Sequence, residues 1–242
     1  MRRLGFIILG LLILTGTGVF AATERDLSYL TASWTSPEGV IFDQGGSRST
    51  GTGIFDPFLR LQHSDSEQGY NTDYRLVQYD ESSTANWTHA LLLETIPVVM
   101  IGGSPYREIK LDINEIQNDK NAFISLDALE IYETANPMIH NYRVASSGWP
   151  TDPIFDLGDN YIKLDARLGP GSGMGDMSVY IPQGLFVNSG PYLTLYSRFG
   201  ASDAGFEEWA VVGAEPMPEP ASVLSMFSGL GGLVGLVLRK RR

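Results

Sequence analysis

The chain predicts an all-β body over residues 22–214, an antiparallel β-sandwich of jelly-roll-like form. Three observations predict it. Short segments with apolar alternation, or rich in β-branched and aromatic residues, recur at a spacing of roughly 8–15 residues. They are bounded by turn formers, drawn from 27 Gly, 13 Pro and many Asn and Asp. No stretch carries a long amphipathic helical pattern, and no repeat recurs at a fixed period.

The segments, in order, are 58–62, 74–79, 89–93, 98–101, 107–113, 123–132, 161–166, 177–181, 192–199 and 206–212. The pattern is clearest in 192–199. Tyr192, Thr194, Tyr196 and Arg198 share one face; Leu193, Leu195, Ser197 and Phe199 share the other. Residues 109–117 also read as helical, but Gly102, Gly103 and Pro105 before them favour a strand.

Composition narrows the function. The 242 residues hold 17 Lys+Arg against 28 Asp+Glu, a net charge of -11. A nucleic-acid partner is not expected, because phosphate contacts need clustered cations. The absence of cysteine removes disulfides, Cys-ligated zinc, iron–sulfur clusters and thiol nucleophiles.

The two ends differ from the body. Arg2 and Arg3 precede an uncharged run that ends in small residues at Val19, Ala21 and Ala22, the pattern of a signal peptide spanning 1–21. The other end holds a linker over 215–220 with Pro218, Glu219 and Pro220. Residues 221–238 are uncharged, and Arg239, Lys240, Arg241 and Arg242 form a cytoplasmic basic tail at 239–242. As a helix, 221–238 would span about 27 Å, close to the hydrocarbon core of a bilayer. The terminal cations would stay on the cytoplasmic side. Six of the 17 cations lie in these ends, and Glu219 is the one anion beyond residue 217, which leaves residues 22–217 near -16.

The C-terminal segment resembles the PEP-CTERM sorting signal. Pro218-Glu219-Pro220, Ser222, a Gly- and Leu-rich hydrophobic stretch and the basic cluster occur in that order. The resemblance implies export through signal peptidase, an inner-membrane intermediate held by the C-terminal helix, and processing by an exosortase of Gram-negative bacteria. The destination it implies is the cell surface or extracellular matrix. The body resembles surface proteins that carry such tails. The shared phrases include Gly51-Thr-Gly-Ile-Phe-Asp-Pro-Phe58, Leu111-Asp-Ile-Asn-Glu115, Ile124-Ser-Leu-Asp127, Tyr196-Ser-Arg-Phe-Gly200 and Gly205-Phe-Glu-Glu-Trp209. This second resemblance implies a secreted β-rich domain and supplies no catalytic residues.

Chemistry-bearing residues are sparse. His63, His89 and His140 are the three histidines, and no Gly-x-Ser-x-Gly or His-Glu-x-x-His motif accompanies them. Asp112, Asn114, Glu115, Asn118 and Asp119 put five oxygen-bearing side chains in eight residues, a candidate Ca²⁺ set without EF-hand spacing. Asp152, Asp156, Asp159 and Asp165 form a second acidic group. Trp34, Trp87 and Trp149 lie in Ser-, Thr- and Pro-rich segments and are candidate sugar-stacking faces, with Tyr70, Tyr74 and Tyr79 as additions. Trp209 is expected in the core. Glu207 and Glu208 point to opposite faces of one strand, so they do not form a catalytic pair together. The bland expectation is an exposed Glu beside a buried Phe206 or Trp209.

The expected protein is therefore non-enzymatic and exported, with extracellular polysaccharide or calcium as ligand. The competing expectation is a secreted polysaccharide-degrading hydrolase using Glu207 or Glu208.

Overall fold

A computed structural model describes residues 22–44, 55–116, 118, 121–169, 175–188, 190–203 and 205–212. The expected signal peptide, the Pro-Glu-Pro linker, Ser222, the hydrophobic segment and the basic tail lie outside the described residues, as does Asp119. Among the described residues no helix is long and apolar enough to cross a membrane.

The body is all-β, and its helical content among the described residues is three single 3₁₀ turns. One sheet contains β1 (Thr23–Asp26), β5 (Asp65–Tyr70), β6 (Leu91–Leu92), β9 (Phe123–Thr134), β10 (Phe155–Asp156), β11 (Asn160–Asp165) and β13 (Tyr192–Ser202). Its main path runs β1-β11-β9-β13-β5. The second contains β2 (Ser33–Thr35), β3 (Ile41–Asp43), β4 (Phe55–Leu61), β7 (Val98–Ile101), β8 (Ser104–Asp112), β12 (Met177–Pro182) and β14 (Glu207–Val212). Its path runs β2-β3-β12-β8-β14-β4. Both sheets send apolar side chains into one core, from Leu126, Ile131, Leu195 and Phe199 on one side and Leu59, Leu111, Val179 and Trp209 on the other. The architecture is sandwich-like.

One pairing departs from the antiparallel expectation. β1 runs parallel to β11, with Thr23 opposite Asn160. A parallel pair needs a long return connection, and the chain between β1 and β11 passes through both sheets to provide it.

Alternation read from sequence is correct in β13: Leu193, Leu195, Ser197 and Phe199 face the core, while Thr194 and Tyr196 face outward. The strand reading of 107–113 also holds, since β8 follows a turn in which Gly102 and Gly103 take φ of 57° and 87°. Such angles are open mainly to glycine.

Two expected strands fail. Residues 74–79 are not a strand, and 89–93 shrinks to β6 plus a 3₁₀ turn. The reason lies at Asn71. Its side-chain amide donates to the Leu193 carbonyl at 2.9 Å and accepts from the Leu195 N–H at 2.6 Å. The side chain thus takes the edge of β13 that a continuing backbone would need. The chain then leaves the sheet, and Tyr79 turns onto its outer face.

Candidate functional site

The outer face of the first sheet carries a second cluster. Tyr70 of β5, Tyr132 of β9 and Tyr196 of β13 point away from the main core and are covered by Ile139 and Trp149. Tyr142 stacks on Tyr196 at 4.1 Å, and Trp149 stands edge-on to Tyr70, Tyr132 and Tyr142 at 5.0–5.2 Å. Trp149 Nε1 donates to the His140 carbonyl at 2.7 Å. Each edge-on ring pair adds about 0.5–1.5 kcal/mol beyond burial, so the segment after β9 is packed down as firmly as a small core.

The covering segment is strained. Asn141 and Arg143 take φ of 51° and 59°. Non-glycine residues there cost about 1–3 kcal/mol each and cluster at functional loops. The packing around Tyr142 holds them, and so does an ion pair from Arg143 Nη2 to Glu130 Oε1. Glu130 also accepts the Tyr132 hydroxyl.

Beside this ion pair opens a cleft of about 300 Å³, lined by Tyr132, Arg143, Ala145, Pro150, Thr151 and Pro153. Two proline rings and Ala145 offer apolar faces. The guanidinium engages Glu130 through Nε and Nη2 and interacts with the Tyr132 hydroxyl, and its side chain is 55% exposed beside the cleft. The Thr151 hydroxyl adds a donor and an acceptor. C–H contacts and forked N–H donors together suit a hydroxylated ring. Burial raises the Tyr132 hydroxyl above its ordinary range, and Glu130 adds to the shift. Tyr196 is pushed up to about 12, mainly by burial. These phenols stay neutral and act as donors.

A different constellation lies between the sheets. Glu67 of β5 and Glu207 of β14 both point inward, opposite Phe199 and Leu61 respectively. They are 0% and 1% exposed. Glu67 Oε2 accepts the His63 N–H at 3.0 Å. Its Oε1 and both Glu207 oxygens have no partner with donor geometry. Burial raises both acids, and for Glu207 the adjacent Glu67 adds to the rise. Asp176 accepts the Ile113 N–H on Oδ2 at 2.7 Å and is pushed up to about 8, mainly by burial.

The predicted site residues are scattered by the fold. Trp149 is buried in the aromatic cluster, so it offers no open face. Trp34 is on β2, stacked on Phe42 at 5.3 Å with the Arg25 guanidinium at 4.9 Å. Trp87 carries the Arg60 guanidinium at 3.4 Å. Tyr70 is buried, and Tyr74 stacks on His140. The fold therefore does not bring the three Trp together: Trp149 is buried, and Trp34 and Trp87 each carry a guanidinium.

The described members of the calcium set do not converge on one point either. Asp112 is 1% exposed on β8 and lies 3.4 Å from the Asn114 side-chain amide. Glu115 accepts the Asp203 N–H with both oxygens at 3.0 Å. Asn118 Oδ1 caps the Asn121 N–H. In the second acidic group, Asp165 is held by Arg167 and Asp156 caps Gly158. Among the described residues no group of three or more acids or histidines is placed to hold a metal ion.

Glu207 and Glu208 do face opposite ways, but neither is exposed. Glu208 is 4% exposed and receives Arg60 Nε at 2.6 Å. Enclosure of the whole strand between β8 and β4 is what sequence alternation cannot report. The cleft over Glu130 and Arg143 was missed as well. The available signal was Tyr196, an aromatic on the face opposite Leu195 in a long strand.

Compared with known proteins, the chain matches no family model, no curated protein and no solved structure.

Proposed function

We propose that this chain is a non-enzymatic protein of the cell surface or extracellular matrix, with a jelly-roll-like body that binds extracellular polysaccharide in the Arg143 cleft. Signal peptidase removes 1–21, and an exosortase processes the chain near Pro218-Glu219-Pro220. The observation that carries the binding reading is the cleft itself, where apolar rings and a half-exposed guanidinium meet at a strained, tightly packed segment. A static cleft of this kind binds without turnover, because Glu130, the acid beside it, is committed to Arg143 and Tyr132.

Binding of extracellular polysaccharide, measured by glycan array and affinity electrophoresis, is expected to fall at least about tenfold in Thr151→Trp. That loss corresponds to about 1.4 kcal/mol. The substitution fills the cleft from an exposed position and leaves the Arg143–Glu130 pair in place. Unchanged binding would remove the cleft from the proposal. Release of reducing ends that disappears in Glu207→Gln or Glu208→Gln would replace it with the hydrolase alternative. Burial of both acids stands against that alternative.

Export has its own test. Mass spectrometry of the mature protein is expected to show an N-terminus at Ala22 and no Arg239–Arg242 cluster. An intact basic tail would leave a plain membrane anchor in place of a sorting signal.

A further inference from the structure

We propose that Glu67 and Glu207 form a proton-binding site between the two sheets, where one shared proton ties β5 to β14 and makes the sandwich most stable in mild acid. The reading is independent of the cleft and of export.

The geometry requires a proton. Two carboxylates on facing strands, 0% and 1% exposed, leave Glu67 Oε1 and both Glu207 oxygens without a well-aligned donor if both are ionised, and the Asn114 backbone gives Glu207 only weak support. Buried acceptors without donors are costly, and two adjacent buried anions more so. One proton on Glu207 removes a charge and supplies a donor to Glu67 Oε1. Glu67 is the better anion of the two, since it already accepts the His63 N–H.

The surroundings keep the proton in place. Glu115, after β8, and Asp80, after β5, both add negative potential at Glu67; Glu115 does so at Glu207 too. Glu81, beside β5, is committed to the Tyr70 and Tyr79 N–H groups. The His63 ring turns away, to the Ser64 and Ser66 carbonyls. The Asn114 backbone favours the Glu207 anion, but this is the smallest of the influences on it. The Arg60 guanidinium bonds Glu208, which points to the other face of β14.

The pH dependence follows. Glu207 is raised from an ordinary 4.5 to about 11. Between those values the folded chain keeps a proton that the unfolded chain releases. The stabilisation is complete below the unfolded value and drains as pH rises. Each such proton shifts the unfolding equilibrium about tenfold per pH unit. Asp26 and Asp165 act oppositely: hydrogen bonds from Ser28 and Arg167, respectively, lower them, so their contribution fades in stronger acid.

Infrared spectroscopy of the full chain tests the site directly. At pH 9, where Asp176 has ionised, a protonated-carboxyl band is expected in the wild type. It is expected to be absent from Glu207→Gln, and proton release on unfolding should fall by about one. No band at pH 9, or a band unchanged in Glu207→Gln, would overturn the proposal. If Glu207→Gln does not fold, Glu67→Gln decides. It removes the acceptor carboxylate, so the band should shift in frequency and titration; an unshifted band overturns the shared proton.

Discussion

Trp209→Ala is expected to destabilise the body by about 3–5 kcal/mol, the usual cost of truncating a buried Trp. Trp209 is 0% exposed on β14, paired with Leu111 of β8 and Leu59 of β4. Its ring lies 6.5 Å from Phe199 of the opposite sheet. Its Nε1 donates to Ser197 Oγ at 3.0 Å, a side-chain bond that crosses between the sheets. Truncation therefore opens a cavity and also leaves the buried Ser197 hydroxyl without its donor. Urea denaturation should show a lower midpoint with a similar slope. Trp209→Phe should lose less, because most of the volume remains and only the inter-sheet bond is gone. A loss of stability below about 1 kcal/mol for the Ala variant would mean that the core closes over the cavity.

Arg60→Ala carries the second large effect, about 3–5 kcal/mol at neutral pH, the cost of breaking a buried pair from one side. The Arg60 side chain is 18% exposed and that of Glu208 is 5% exposed. The guanidinium is sandwiched between Trp87 at 3.4 Å and Phe206 at 4.0 Å, and it meets Glu208 at 2.5–2.6 Å. Burial already raises Glu208, against the pull of Arg60, and Asp112 raises it further. Without Arg60 the folded carboxyl would rise higher still and take up a proton. The variant's deficit should therefore be small near pH 4 and grow as pH rises past the folded wild-type value of Glu208, which already lies above the ordinary 4.5. Arg60→Lys keeps the charge but loses the planar fork and the stacking, so it should recover only part of the stability. Thermal unfolding at pH 4 and pH 8 separates these outcomes. A deficit independent of pH would assign the loss to ring packing and not to the ion pair.

Legibility followed the source of each signal. Strands such as β13 and the second half of β8 were readable because they are buried against the core, whereas β7 was readable from its β-branched run although none of its residues is in the core. β5 was not, because its inward positions are Glu67 and Gly69. A strand whose core-facing residue is an acid looks like a polar loop. β1 is similar: Thr23–Asp26 is largely exposed and joins the sheet only through its parallel partner. The surroundings of the tryptophans were illegible for a related reason. Local composition placed them in polar segments, but Arg25 and Arg60, distant in the chain, occupy the faces of Trp34 and Trp87.

From the sequence alone come the all-β class, the placement of Trp209 in the core, the opposite facing of Glu207 and Glu208, and the acidic body between basic ends. All of these follow from local periodicity and composition, which need no knowledge of partners. Only the tertiary structure decides that Tyr70, Tyr132, Tyr142, Trp149 and Tyr196 form one cluster, that a cleft opens beside Arg143, and that Glu67 meets Glu207. Each depends on strands far apart in the chain becoming neighbours or facing one another across the core. A carboxylate reads as solvated in sequence because water is its usual partner. Here the second sheet replaces that water, and the charge has to leave with it.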